Sequence, residues 1–549
     1  MAQHYGLLGQ ALQHYQAART DEAARICQKA LQSQPNFTPA LHLLGAIRLK
    51  QGAAADAVKL LERAARGEPR NHEIFNTLGS ARSESGNVDG AIEAYGQALG
   101  IKPDYAQAIY NLGNALRRAG KLTEAIARYR QAVALDPKYA QAIANLGVTL
   151  NAAGVELAAQ DRADEAASVF QEALAISPDD PEIAINLGNT LAILNRPEDA
   201  IAWFERAIAR KPDDADAYAN LGHTQRQLGR NDAAIAAYDR AIALDTAHRD
   251  ARFGRATALL ATGRFTEGWR AYLDRDNAWD VAPRYHRETL PADLGGVRVQ
   301  IEGDQGLGDE IFFLRFAAAL RARGASVIYK PDRRLAAMLS RAKVVDQIVT
   351  GAVPCTYRVM VGDLPYLLGM GDGDTPPPSI VLPPLAADAG LKALGPPPYI
   401  GVAWRAGTQR ARRRLRKELP LEALAAALRG TDGTIVAVQR EPAPGESAAF
   451  ADALGRPVAD MSAINDDLET MLAVCAALDD LVCVSNTNVH LRAAVGRTSR
   501  VLVPSPPEFR WMAEGRESPW FPGTRVYRQA PDGGWDAALA ALAADLAAK

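Results

Sequence analysis

A chain of 549 residues, 48% hydrophobic and 23% charged, has the make-up of an ordinary soluble globular protein and room for two or more separate cores. Its formal net charge of −2 gives no electrostatic case for nucleic acid or an acidic membrane surface. Four scattered cysteines (Cys27, Cys355, Cys475, Cys483) with no CxxC spacing suit a reducing compartment and disfavour zinc. The opening MAQHYGLLGQALQHYQ lacks a basic segment followed by an apolar one, so no signal peptide is expected. No uninterrupted apolar run reaches about 18 residues, so a cytoplasmic protein without membrane insertion is expected.

The first half repeats. Leu-Gly pairs fall at Leu44-Gly45, Leu78-Gly79, Leu112-Gly113, Leu146-Gly147, Leu187-Gly188 and Leu221-Gly222, in steps of 34 residues with one step of 41. In the same phase stand Pro35, Pro69, Pro103, Pro137, Pro178 and Pro212. Small residues recur at Ala57, Ala91, Ala125, Ala166, Ala200 and Ala234, and rings at Tyr95, Tyr129, Phe170, Phe204, Tyr238 and Tyr272. Small residues let two helices approach, the ring fills the space beside them, and proline ends the second helix.

This pattern resembles the tetratricopeptide repeat, in about seven copies over 1–275. The resemblance implies an all-α solenoid with a concave groove that binds polypeptide. The first copy, about 4–37, carries Gln10 where leucine is expected, as befits a cap. The long step holds seven extra residues near 154–161. They are absorbed either by a helix two turns longer or by a looped bulge. The residue before each Leu-Gly is Thr77, Asn111, Asn145, Asn186 or Asn220. The column is similar to the asparagine ladder of eukaryotic-type O-GlcNAc transferases and is expected to hold an acceptor polypeptide through amide donors and acceptors. The alternative is that it bonds neighbouring repeats.

From Trp269 the 34-residue phase fades, and 276–294 reads as a connection. Strand and helix then alternate: strand 297–301, helix 309–323, strand 326–329, helix 333–342, and strands 347–349 and 357–361. Such alternation argues a parallel sheet covered on both faces. Thr375-Pro-Pro-Pro and Gly395-Pro-Pro-Pro mark a boundary between lobes. The second lobe reads as strand 399–404, helix 420–428, strand 434–439, helix 467–478, strand 481–484, helix 489–494, strand 500–503 and a closing helix 535–546. Two doubly wound lobes are expected, 276–392 and 393–549, with ligands at the carboxyl ends of the strands.

Several motifs point further. Trp269-Arg-Ala-Tyr, Gly306-Leu-Gly-Asp309, Ser485-Asn-Thr-Asn-Val-His-Leu491, Phe509-Arg-Trp511 and Ser518-Pro-Trp-Phe-Pro522 with Arg528-Gln529 resemble the C-terminal halves of bacterial tetratricopeptide proteins. Those halves are similar to heptosyltransferase-like (family 9) glycosyltransferases of the GT-B fold. The resemblance covers about 265–549.

It implies that Asp309 is the base that deprotonates the acceptor hydroxyl. The competing reading makes Asp309 only an acid that complements a helix dipole, with Asp304 and Glu310 as nearby substitutes. Gly306 and Gly308 are expected to permit backbone conformations and approaches that a Cβ forbids. The turn Ser485, Asn486, Thr487, Asn488 precedes a helix whose N–H groups suit phosphate, and His490 is the only histidine after residue 286. The family has aspartate where this chain has Asn486. A plain helix cap at Asn486 and a packed His490 are the alternative.

Resemblance also makes Arg405, Arg416 and Lys417 candidates for the donor's phosphates, and Gln439 a candidate for its base or ribose. Asp372-Gly-Asp374 has the form of a metal-binding DxD but lies in the boundary segment, and no His, Cys and acid cluster has metal spacing. The expectation is a metal-independent, inverting, cytoplasmic protein O-glycosyltransferase without a cofactor. A nucleotide sugar is its donor substrate, and flagellin is the foremost acceptor by resemblance. Two alternatives remain open: a transferase for lipopolysaccharide or another glycan docked through its repeats, and a non-catalytic scaffold or chaperone.

Overall fold

The computed structural model of the protein describes residues 2–275, 284–303, 305–385, 389–406 and 418–548. The chain divides into two compact units, Met1–Leu194 and Asn195–Lys549. The last repeats therefore belong with the α/β region.

The first unit is a run of helices from Ala2–Gln16 to Pro181–Ile193, and the second opens with five more, Pro197–Arg210 to Phe265–Tyr272. In the first unit the opening helix pair is degenerate, and in the second the last repeat helix, Phe265–Tyr272, is short. Every proline of the repeat lies one residue past a helix cap, as after Ser33, Gly67 and Ile101. The missing N–H costs nothing there. The alanine column from Ala57 to Ala234 is completely buried, and the ring column is at most 3% exposed.

Glycine and ring are matched in space. A Cβ on Gly79, Gly113 or Gly222 would sit 2.6–2.7 Å from the ring of Tyr95, Tyr129 or Tyr238. The long step is taken up by one 20-residue helix, Ala140–Ala159. Two turns are close to seven residues, so the apolar stripe keeps its face. Among the described residues this helix alone is long and apolar enough to cross a membrane by length and composition. It is a repeat helix packed against Leu122–Leu135 and Ala163–Ile176.

The α/β region holds two all-parallel sheets. The first contains β1 (Arg298–Glu302), β2 (Ser326–Lys330), β3 (Gln347–Ile348) and β4 (Tyr357–Met360) in the order β3-β2-β1-β4. The second contains β5 (Tyr399–Ala403), β6 (Thr434–Ala437), β7 (Val458–Asp460), β8 (Asp480–Val484), β9 (Arg500–Val503) and β10 (Arg525–Arg528) in the order β10-β9-β8-β5-β6-β7. Counted from β5 this is 3-2-1-4-5-6, the doubly wound order whose direction reverses between β5 and β8. β5, β8 and β9 are buried at every residue, as strands covered on both faces must be.

Helix Glu446–Leu454, β7, β10 and the short helix Leu364–Leu367 are not among the elements expected from the sequence. The expected helix 309–323 is broken into Leu307–Phe313, a 3-10 turn Leu314–Phe316, and Ala317–Ala322. At the break, the buried Arg315 donates to the carbonyls of Phe312 and Trp520.

The last repeat helix is fixed to the α/β region by aromatic packing. Trp269 meets Phe509 and Trp520 edge-on at 5.5 and 5.8 Å, and Tyr272 lies 6.0 Å from Phe313. Asp372, of the DxD-like motif, accepts from the N–H of Thr266, and its own N–H donates to the Thr266 hydroxyl. That pair caps helix Phe265–Tyr272 and gives the motif a structural use.

Candidate functional site

One cleft of about 410 Å³ gathers most of the candidate residues. It opens at the carboxyl edges of both sheets. Gly306, Gly308 and Asp309 reach it after β1, Arg405 after β5, Arg440 after β6, Asn465 after β7, Ser485 to Asn488 and His490 after β8, and Glu508 and Arg510 after β9. Both strand-order reversals, β1/β4 and β5/β8, therefore face the same space, where open α/β sheets place ligands.

The two glycines of the first turn differ. A Cβ on Gly308 would lie 2.9 Å from the His490 ring and 3.6 Å from the Thr487 backbone, so glycine lets the two lobes approach. Gly306 has φ −77°, and a Cβ there would meet only Asp309 at 3.5 Å, so nothing in its conformation requires glycine.

Asp309 sits in the first turn of helix Leu307–Phe313 and forms an ion pair with Arg510 across the lobes. Arg510 is buried, with Phe312 and Phe509 rings 5.1 and 5.4 Å from its guanidinium. Burial pulls its pKa down, but the charges of Asp309 and Glu508 more than reverse this and hold it above the usual arginine value. A second N–H of Arg510 points to His490 Nε2 at 3.2 Å. Accepting that bond requires a neutral imidazole with its proton on Nδ1. His490 is 3% exposed and packs against Phe312 and Phe521, so it combines the packed and the cleft-lining readings.

Asn486 caps helix Thr487–Ala494, its side-chain oxygen accepting from Asn488 N–H at 3.0 Å. The Asn488 side chain donates to the Val438 carbonyl, and the Ser485 hydroxyl donates to Glu508. Arg405 is only 3% exposed and donates to Glu446 and to the Glu441 carbonyl. Burial raises the pKa of Glu446, and the bonds from Arg405 and the Ala443 N–H outweigh it, so the acid is held ionised. The two outer arginines are Arg334, paired with Asp332, and Arg440, which lies 4.0 Å from the Glu441 carboxylate.

Two expectations are corrected. Gln439 is fully buried beneath the cleft: its oxygen accepts from the N–H groups of Trp404 and Arg405, and its nitrogen donates to the carbonyls of Arg405 and Arg440. It pins the ends of β5 and β6 and is spent on the backbone. Glu310 points inward as well, accepting from the Tyr329 hydroxyl and the Asp332 N–H. Arg416, Lys417 and Asp304 lie outside the described residues.

The sequence reading missed Arg334, Arg440, Asn465, Glu508 and Arg510. Only Arg510 had a signal, as the centre of the Phe509-Arg-Trp511 motif, to which no role was attached.

The asparagine column bonds repeat to repeat. Asn111 donates to Asn76, Asn145 to Asn114 and to the Tyr110 hydroxyl, and Asn186 to Asn151, at 2.8–3.1 Å. Thr77 meets His42 at 3.0 Å and donates to the Glu73 carbonyl. Asn220 is half-buried on helix Ala215–Gln227. At Asn145 both N–H groups are taken, so a polypeptide there must use the amide carbonyl or displace the rung, whereas Asn111 and Asn186 each spend one N–H on it.

Tetratricopeptide repeat family models match residues 14–79 and 157–222, 79–119 and 113–154, and 215–245. The N-terminal part is built of tetratricopeptide repeats. A curated relative, Protein FlbA of Caulobacter vibrioides (strain ATCC 19089 / CIP 103742 / CB 15), is 28% identical over 331 residues, 54% of each chain. The chain thus spans about half the length of the curated relative it matches. Among solved structures it is similar to MamA, at 24% identity over 33% of this chain and 94% of that one with a TM-score of 0.28. It is also similar to YrrB, titled a TPR protein with an unusual peptide-binding site, at 21% identity over 35% and 96% with a TM-score of 0.29.

Proposed function

We propose that the protein is a cytoplasmic O-glycosyltransferase of GT-B type in which the repeats capture a polypeptide and the α/β region transfers a sugar to it from a nucleotide donor. The observation that carries this reading is the single cleft at both strand-order reversals, where an acid from one lobe faces arginines and a capped helix N-terminus from the other. In the step assigned to it, a Ser or Thr oxygen of the acceptor forms a bond to the anomeric carbon. The bond from that carbon to the donor phosphate breaks, and its electron pair leaves with the phosphate. The hydroxyl proton passes to Asp309. Arginine side chains and the N–H group at Thr487 offset the charge that builds on the leaving phosphate.

The acceptor assigned is flagellin, and the test is its intact mass after incubation with the full chain and a panel of nucleotide sugars. A sugar-sized mass gain that disappears with Asp309→Ala, in a variant that melts like the parent, supports the reading. No gain with any donor on flagellin, or on polypeptides retained by the repeats, refutes it.

A second reading, a scaffold with a silent transferase fold, draws on Arg405 being neutralised by Glu446 and on Asn486 acting as a helix cap. It requires that no nucleotide binds the cleft.

A further inference from the structure

We infer that Arg510 is the group that takes the donor's phosphate, and that Asp309 occupies it until the phosphate arrives. The inference rests on reading the cleft as a donor site and adds the identity and order of the contacts.

The cleft lining carries four arginines against two carboxylates, and the partner each arginine already holds decides which can receive an anion. The arginines are not equivalent. Arg405 is bound to Glu446 behind the cleft and to the Glu441 carbonyl, and neither partner can leave without exposing a buried charge. Arg334 and Arg440 are 45% and 41% exposed at the rim, where solvent screens them.

Arg510 is the buried charge held on a partner that itself lines the cleft. Its ring neighbours Phe312 and Phe509 fix the plane of the guanidinium. One arm contacts Asp309 and another His490, so both terminal nitrogens point at cleft-lining groups. A guanidinium presents parallel N–H groups that match two phosphate oxygens as well as a carboxylate. Asp309, with 23% of its side chain exposed, is the partner that can turn towards solvent once a phosphate replaces it on Arg510. When it does, its carboxylate is released beside the position the acceptor hydroxyl must take. The base is thus available only after the donor is in place.

The prediction is a gain of binding on removing an acid. Inorganic pyrophosphate is titrated calorimetrically into the full chain, into Asp309→Asn and into Arg510→Met. With competition for one cation, Asp309→Asn binds pyrophosphate roughly tenfold more tightly than the parent, and Arg510→Met loses most of the binding. A gain cannot arise from misfolding, so the asparagine variant decides even if Arg510→Met fails to fold. Equal affinity in the parent and Asp309→Asn overturns the inference while leaving the cleft a phosphate site. No binding to the parent, to Asp309→Asn or to nucleotide diphosphates overturns both the inference and the donor-site reading beneath it.

Discussion

The helix Ala140–Ala159 carries two glycines with opposite expectations for the same substitution. By position Gly147 belongs to the Leu-Gly column, 34 residues after Gly113. Gly154 belongs to no column read from the sequence, yet it lies 16 residues before Phe170, as Gly79 does before Tyr95 and Gly113 before Tyr129. In the structure a Cβ on Gly154 would come within 2.5–2.8 Å of the Phe170 ring, whereas one on Gly147 would meet Ile176 Cγ2 at 3.3 Å and Ser177 Oγ at 3.4 Å. Phe170 is 1% exposed and has nowhere to move. Overpacking of this kind costs about 3 kcal/mol, the upper part of the usual range. Alanine gains about 1 kcal/mol over glycine in a helix at either site. Gly154→Ala is therefore expected to destabilise by about 2 kcal/mol, and Gly147→Ala to be neutral or stabilising by up to about 1 kcal/mol. Because repeat arrays unfold in parts, the cleaner assay is hydrogen exchange of amides in helix Ala163–Ile176, supported by a thermal melt. Exchange there should be faster in Gly154→Ala alone. If Gly147→Ala accelerates exchange as much as Gly154→Ala, the assignment of ring to glycine is wrong.

His223 accepts or donates a 2.8 Å bond with the Tyr238 hydroxyl, and burial pulls its pKa down to about 4. Its folded value lies below the unfolded value of about 6.5, so the unfolded chain binds the extra proton between the two. Its contribution, at most about 3 kcal/mol, is present above pH 6.5 and is lost as pH falls towards 4. Denaturation midpoints of the parent should fall over that window, and those of His223→Gln should fall less; equal slopes would dismiss the assignment. Gln439→Leu removes the acceptor for two buried N–H groups and is expected to cost about 3 kcal/mol, measured by denaturant titration. Donor affinity in the folded variant should stay unchanged, because the side chain does not reach the cleft. A lowered affinity at parental stability would restore Gln439 as a donor contact.

The repeats were legible because each column has one physical reason that acts locally: a proline past the helix end, an alanine where helices touch, a ring to fill the gap. The strands of the second half were legible for a similar reason, since strands buried on both faces, such as β5 and β8, must be continuously apolar. The pattern along the chain determined that much, and it placed Gly308, Asp309, Ser485 and His490 in the turns and first helical turns that follow strands. It did not determine which side chains there face the cleft. Gln439 and Glu310 stand at strand or helix ends as the lining residues do, but they turn inward because unpaired backbone N–H groups and the Tyr329 hydroxyl claim them. Arg510 lies 201 residues from Asp309, and only the meeting of the two sheets' carboxyl edges makes them partners. Local sequence sets which elements form. Which charges neutralise one another is decided by contacts between distant elements, because an ion pair depends on distance in space.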